Sequence, residues 1–333
     1  MATKVIIRGI GKAGRLFLKH SFDIEDIDVV AVADDAAYEH ADNLAYLLNY
    51  DTVHGVSNHS ISTLDGDLVV DGRKVKVVGY NNIPTLNEYG ASVIVDFTGN
   101  LSSDTAQDLV NAGYKVIANN FFEGNINDND IPVITTANIS SITSSMNIIS
   151  TNPDIESVAQ VVQQIDSNGI SNAMLTFIKS ATSAMSVDDT FVASGTYDAG
   201  RGCFENMIVT ANSAGKQLGR IIPKLNGKIT GNTIRVPSIS GFIAQIDATC
   251  NKSVTTNDIN SSIKGISSQT LAYYDDPISP TDTRSLFAPA FVSSKTMSIN
   301  VANSSMIRAY VFYHPENVSV EISTEIIRRL ALL

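Results

Sequence analysis

Along the first half of the chain, short aliphatic runs alternate with segments of helical period. Val5-Ile6-Ile7 and Val29-Val30-Ala31-Val32-Ala33 read as buried strands, and Leu16, Phe17 and Leu18 between them mark the apolar side of a helix. Residues 41–48 repeat the helical pattern. Residues 67–70 and 74–78, separated by Asp71-Gly72, predict a β-hairpin. Residues 92–97 read as a strand, 103–113 as a helix stopped by Gly113, and 115–118 and 147–150 as further strands. Strands alternating with helices require a mostly parallel sheet. In the second half the strands lengthen and alternate, at 173–177, 233–236, 243–250 and 306–313, with a helix near 211–222. That pattern predicts an antiparallel sheet with helices on one face. A last helix is expected from 319 to 333, with Arg328 and Arg329 in its final turns, where cations suit the helix dipole.

The fold class predicted is α/β: a Rossmann-type doubly wound domain over 1–150 with 317–333, and an α+β second domain over 151–316 with an antiparallel sheet. The 333 residues are enough for about two well-buried cores. Hydrophobic content of 44% and charged content of 17% describe a globular chain. The net charge of −11 argues against nucleic acid or an anionic membrane as partner. No apolar run approaches the ~18–20 residues that span a bilayer. The start of the chain carries no secretory apolar region, so the expected compartment is cytoplasmic. Cys203 and Cys250 form no disulfide framework and match no metal-ligand spacing.

Between the first strand and helix stands Gly9-Ile10-Gly11-Lys12-Ala13-Gly14. The leading glycines allow a tight turn and close approach of a pyrophosphate, and the third lets helix pack on strand. The following helix offers unpaired N–H groups to an anion. Asp34, twenty residues after Gly14, ends the second strand. A carboxylate there suits the ribose hydroxyls of NAD and repels the extra phosphate of NADP, and Asp35 adds to the repulsion. The alternative is an ordinary glycine-rich βαβ turn. Tyr46 and Tyr50 read as core aromatics.

With these motifs in place, the sequence resembles the glyceraldehyde-3-phosphate dehydrogenase family over nearly its whole length. Gly9 to Arg15, Asn49 to Gly55 and Phe97-Thr98-Gly99 carry the resemblance in the first half. The longest match runs from Gly200-Arg201-Gly202 through Lys216, Ile222-Pro223-Lys224-Leu225-Asn226-Gly227, Lys228-Ile229-Thr230-Gly231 and Arg235-Val236-Pro237 to Asp247-Ala248-Thr249-Cys250. The resemblance implies an NAD-binding first domain completed by the C-terminal helix, a catalytic second domain and a homotetramer. It places the cofactor at Gly9, Gly11, Lys12, Ala13, Gly14, Asp34, Thr98 and Gly99, with the adenosine half best kept.

Family members oxidise an aldehyde through a cysteine thiolate generated at a helix N-terminus beside a histidine base. The family's Ser-Asn-Ala-Ser-Cys-Thr-Thr-Asn corresponds here to Ser150-Thr151-Asn152-Pro153-Asp154-Ile155-Glu156-Ser157, which puts Asp154 at the nucleophile. Residues 1–202 contain no cysteine, so no shift of alignment restores it. The histidine position falls on Ile178, and a slip of one residue would put Lys179 there. No histidine occurs between His59 and His314. A carboxylate gives no thioester for phosphate to open. The same segment reads as a stable helix start, with Asn152 as N-cap, Pro153 at N1, and Asp154 and Glu156 in the first turn. The other reading makes Asp154 a new acid or base.

Around the nicotinamide, the family's Ser-Ala-Pro-Ser becomes Asn119-Asn120-Phe121-Phe122, and Pro315 replaces the carboxamide-holding asparagine. Of the substrate-phosphate groups, Arg235 is kept, Thr182 or Ser183 could supply a hydroxyl, and the Thr-Gly anion pair becomes Asn212-Ser213. Arg235 reads equally as a structural or interface arginine. Cys203 with His314 could form a replacement site, or Cys203 is simply a small buried residue. Cys250 reads as core. Three functions remain open: a pseudoenzyme keeping NAD or its adenosine half, an NAD-dependent oxidoreductase of altered substrate with a non-covalent mechanism, and a non-catalytic subunit partnering an active homologue or another protein.

Overall fold

The computed structural model describes residues 2–122, 131–182, 185–192, 197–267, 270–285, 290–299 and 304–333. The chain divides into two compact units, Met1–Asn152 with Ser319–Leu333, and Pro153–Val318.

The first unit opens with β1 (Thr3–Arg8), α1 (Lys12–Asp23) and β2 (Ile27–Ala33), followed by α2 (Asp35–Glu39), α3 (Ala41–Asn49) and a small ribbon of β3 (Tyr50–Asp51) with β4 (Gly55–Val56). Next come β5 (Ile61–Leu64), β6 (Asp67–Val70), β7 (Arg73–Val78), β8 (Val93–Asp96), α4 (Ser103–Asn111), β9 (Lys115–Ala118) and β10 (Ile148–Ser150). Its sheet runs β10-β9-β8-β1-β2-β7-β6-β5. Pairing is parallel from β10 to β7 and antiparallel at the β6 and β5 edge. The β6–β7 hairpin turns at Asp71 and Gly72, with φ of 49° and 81°, the left-handed pair that matches strand twist. Because β2 and β8 flank β1 on opposite sides, the strand order reverses beside β1, where open α/β sheets bind ligands.

Leu16, Phe17, Leu44 and Leu48 pack on one face of this sheet together with Val320, Ile322, Ile326 and Ile327 of the last helix. Tyr46 and Tyr50, read from the sequence as core, are 60% and 56% exposed. The buried side of α3 is Leu44, Ala45 and Leu48, and Tyr46 leaves the helix on the other side to meet the Tyr50 ring at 5.1 Å.

The second unit contains α5 (Pro153–Asp166), β11 (Ile170–Lys179), β12 (Ile208–Ala211), α6 (Ala214–Ile221), β13 (Ile229–Arg235), β14 (Phe242–Cys250) and α7 (Thr256–Gly265). It continues through β15 (Leu271–Tyr274), β16 (Ala290–Ser293), β17 (Ser298–Ile299) and β18 (Met306–Tyr313) into α8 (Pro315–Ala331), whose later turns belong to the first unit. The sheet order is β12-β13-β11-β14-β18-β16-β15, with β17 beside β18. The sheet is mixed rather than purely antiparallel: β11 pairs with β13, and β15 with β16, in parallel. The chain returns from β11 to β13 by a long crossover containing α6, and a crossover brings the next strand back in the same direction. Along β14, Phe242, Ala244, Ile246, Ala248 and Cys250 are buried and the residues between them half-buried. The apolar side of α5, with Val158, Val161, Val162 and Ile165, is fully buried. Among the described residues no helix is long and apolar enough to cross a membrane.

Candidate functional site

In the first unit the glycine loop has the geometry its sequence demands. Gly9 has φ of +86°, and a Cβ there would lie 2.7 Å from Thr98 Cγ2. A Cβ on Gly14 would lie 2.2 Å from the Gly9 carbonyl oxygen, so only glycine lets α1 sit this close to the strand end. Gly11, by contrast, faces open space. It precedes α1, whose first turn carries no side-chain cap and no acid. The N–H groups of that turn, flanked by the half-buried Lys12 and Ala13, are therefore available to an anion.

Around the loop the carboxyl ends of the strands supply fixed polar groups. Asp96, fully buried, accepts from Arg8 (2.5 Å), from Thr98 N–H (3.0 Å) and from Thr98 Oγ1 (2.7 Å). Gly99 follows with φ of +73° and an open Cβ direction. Asp34 caps α2 by accepting the Ala37 N–H at 3.2 Å, and it also accepts the Ile10 N–H at 3.1 Å. Sequence reasoning missed Tyr80. Its hydroxyl donates to Asp34 Oδ2 at 3.3 Å, and its ring lies 4.3 Å below the Arg8 guanidinium. Burial, with the Asp34 charge, pushes the phenol up to about 12, so it stays a donor at neutral pH. The residues present fit a dinucleotide: an open glycine, a bare helix N-terminus and a carboxylate at the end of β2.

The segment expected to meet the nicotinamide is built as structure. Asn119 Nδ2 donates to the Asp96 carbonyl (3.3 Å) and to Ser323 Oγ (3.1 Å). Asn120 Nδ2 donates to the Leu101 carbonyl (3.2 Å), and the Asn120 carbonyl accepts from Ser150 Oγ at 2.6 Å. Phe122 is 4% exposed, packed into the core on the other face of the sheet.

In the second unit, α5 begins at Pro153 with Asp154 and Glu156 in its first turn, where acids suit the dipole. Both are buried. Asp154 Oδ2 accepts from Lys179 Nζ and, at 3.4 Å, from Asn212 Nδ2. Asp154 Oδ1 accepts from the Tyr313 hydroxyl at 2.7 Å. Tyr313 is fully buried, edge-on to Phe242 at 5.4 Å. Burial and the Asp154 charge raise its phenol well above the ordinary value. Lys179, not Ile178, is therefore the residue set against Asp154. Side chains alternate along a strand, and the buried face of β11 is Ala173, Leu175, Phe177 and Lys179, which turns Ile178 to the other face.

Asn212 also donates to Thr233 Oγ1 (2.9 Å) and accepts the Ala214 N–H (2.8 Å), so the place of the anion pair is a clamp on the start of α6. Arg235 donates to the Ser180 carbonyl at 3.0 Å and lies 5.9 Å from the Phe242 ring. Burial lowers its guanidinium from the usual value, against the pull of Asp154. The Thr182 carbonyl accepts the Met185 N–H, and Ser183 lies outside the described residues. Cys203 is 3% exposed, with its N–H on the Ser186 carbonyl, and His314 Nδ1 lies 3.0 Å from Glu316. Cys250 is buried in the core, and its thiol is pushed up by burial.

The parallel sheet with its glycine loop, followed by a mixed-sheet unit, defines a two-domain protein of the NAD-binding dehydrogenase type. The chain belongs to the glyceraldehyde-3-phosphate dehydrogenase family: residues 3–104 match the family's NAD binding domain and residues 154–314 its C-terminal domain. It is 29% identical to a glyceraldehyde-3-phosphate dehydrogenase of Lactobacillus delbrueckii subsp. bulgaricus over 95% of each chain. It is also 29% identical to that of Shimwellia blattae, over 85% of this chain and 86% of the relative. Identity to the Escherichia coli K12 dehydrogenase A is 28%, over the same shares. The first unit is thus an NAD-binding domain by family as well as by loop geometry.

Proposed function

We propose that this family member has lost acyl-enzyme chemistry and keeps a dinucleotide site, chiefly for the adenosine half of NAD: a pseudoenzyme on a dehydrogenase fold. The observation that carries this reading is Asp154, buried at the head of α5 and held by Lys179, Tyr313 and Asn212. A carboxylate held by three donors lacks the polarisability of a thiolate nucleophile and forms no thioester for phosphate to open. Gly9, Gly11, Lys12, Ala13, Gly14, Asp34, Thr98 and Gly99 are the residues assigned to the cofactor. Bound NAD supplies a hydride acceptor, but the positions matching the family's nicotinamide contacts are occupied by Asn119, Asn120 and Phe122, tied into the first core.

Arg235 serves as a structural arginine in this reading, one of its five N–H donors tying it to the Ser180 carbonyl. Assembly as a homo-oligomer is part of the proposal. The second sheet supports it with a groove of about 790 Å³ bordered by the exposed Met174 and Met306 together with Thr230, Asp247 and Arg308. A cytoplasmic location is part of the same proposal. Isothermal titration with NAD and with ADP-ribose tests the site. Similar affinities for the two support retention of the adenosine half alone, and binding of neither removes the retained site.

The competing reading, a non-covalent oxidoreductase using Asp154 or Lys179 as base, draws on the Asp154–Lys179–Tyr313 hydrogen bonds as a proton path. Reduction of NAD by any member of an aldehyde and alcohol panel would favour it over the pseudoenzyme.

A further inference from the structure

Asp34 is the carboxylate assigned to the ribose, yet three of its acceptor positions are already filled. Oδ1 takes the Ala37 N–H, and Oδ2 takes both the Ile10 N–H and the Tyr80 hydroxyl. An ionised carboxylate offers about four lone-pair positions. The vicinal hydroxyls of a ribose need two. The Ala37 and Ile10 bonds are backbone bonds that cap α2 and shape the glycine loop, so neither can be released without disturbing the site. The Tyr80 hydroxyl is the one of these three donors carried by a side chain, so its bond can break without moving the loop backbone.

Tyr80 is also held in place. The Arg8 guanidinium lies over its ring, and Arg8 is anchored on Asp96, its register partner on β8. The Tyr80 N–H donates to Asp35 Oδ1 at 2.8 Å, which fixes the backbone at the start of the 3₁₀ stretch Tyr80–Tyr89. Asp96 in turn holds Thr98 beside the loop. The clamp on Tyr80 is therefore tied to the same strand ends that build the nucleotide site.

We propose that Tyr80 is a built-in competitor for the ribose, its phenol occupying the Asp34 acceptor that a nucleotide needs and Arg8 keeping it there, so that adenosine binding requires the phenol to leave. The proposal rests on the reading of the first unit as a retained NAD site and assigns Tyr80 as the residue that sets its affinity.

Titration of the full chain and its Tyr80→Phe variant with ADP-ribose tests it, with inorganic pyrophosphate, which makes no demand on Asp34, as the second probe. The variant keeps the ring under Arg8 and loses only the hydroxyl. The expected result is ADP-ribose binding about tenfold tighter in the variant, the worth of one hydrogen bond to a charged acceptor, with pyrophosphate binding unchanged. Tyrosine fluorescence, readable because the chain has no tryptophan, should change when ADP-ribose is added to the wild type and change less in the variant. Equal or weaker ADP-ribose binding by Tyr80→Phe overturns the competitor while leaving the nucleotide site standing. If neither chain binds ADP-ribose or pyrophosphate, the site and its competitor fall together.

Discussion

Lys179 at the end of β11 donates its ammonium to Asp154 at the head of α5, and the two form a buried ion pair. The Tyr313 hydroxyl satisfies the other carboxylate oxygen. The cluster has the character of an internal structural pair: opposite charges in contact, with the remaining acceptor taken by a neutral donor.

Breaking that pair from one side should cost far more than removing it whole. Lys179→Met leaves a buried carboxylate without its cation and is expected to destabilise the fold by about 3–5 kcal/mol. The double variant Asp154→Leu with Lys179→Met should recover much of the loss. Urea denaturation of the two variants and the wild type checks this, and a silent Lys179→Met would show that the pair is not formed.

Tyr313→Phe removes a donor from Asp154 Oδ1 without changing the shape of the core around Phe242. The expected loss is about 1–3 kcal/mol, the cost of an unsatisfied buried acceptor. Stability equal to the wild type would mean that water or another donor replaces the phenol.

Gly14→Ala and Gly11→Ala separate packing from binding. The first drives a methyl onto the Gly9 carbonyl oxygen and should lose the fold or much of its stability. The second adds a methyl in open space and should change stability by less than ~0.5 kcal/mol while weakening ADP-ribose binding, because the methyl obstructs the backbone approach. Thermal melts and titration read the two effects apart.

Glu321 on α8 is a carboxyl raised to about 7, first by burial and then by Glu325, with Arg328 opposing. Arg328 is itself engaged by Asp26 and Glu325. A raised carboxyl means that the folded chain holds the proton more tightly than the unfolded one. Its stabilising contribution is present below the unfolded value and is lost as pH rises through about 7. Glu321→Gln should therefore change the melting temperature little at about pH 5 and raise it at about pH 8. An equal change at both pH values would contradict the assignment.

The frame was legible because its signals are local and strong. The glycine spacing, the aliphatic runs of β1, β2 and β8, and the hairpin turn at Asp71-Gly72 each dictate their own backbone. That residues 1–202 hold no cysteine and that no histidine lies between His59 and His314 was legible for a different reason: it is read by counting alone. Which residue faces Asp154 was not legible, since a slip of one position on β11 exchanges Ile178 for Lys179 and strand pattern alone does not choose. Strand direction in the second sheet was hidden as well, because alternation marks a half-buried strand whichever way it runs. Tyr80 reaches Asp34 from a loop 46 residues further on, a closure set by the register of β2 with β7.

The pseudoenzyme proposal requires that this polypeptide form no acyl-enzyme. Rapid mixing of the purified chain with glyceraldehyde 3-phosphate, NAD and phosphate, followed by the absorbance of the reduced nicotinamide, tests it directly. Neither a burst nor turnover is expected. A burst approaching one reduced nicotinamide per chain, or sustained phosphate-dependent turnover, would contradict it.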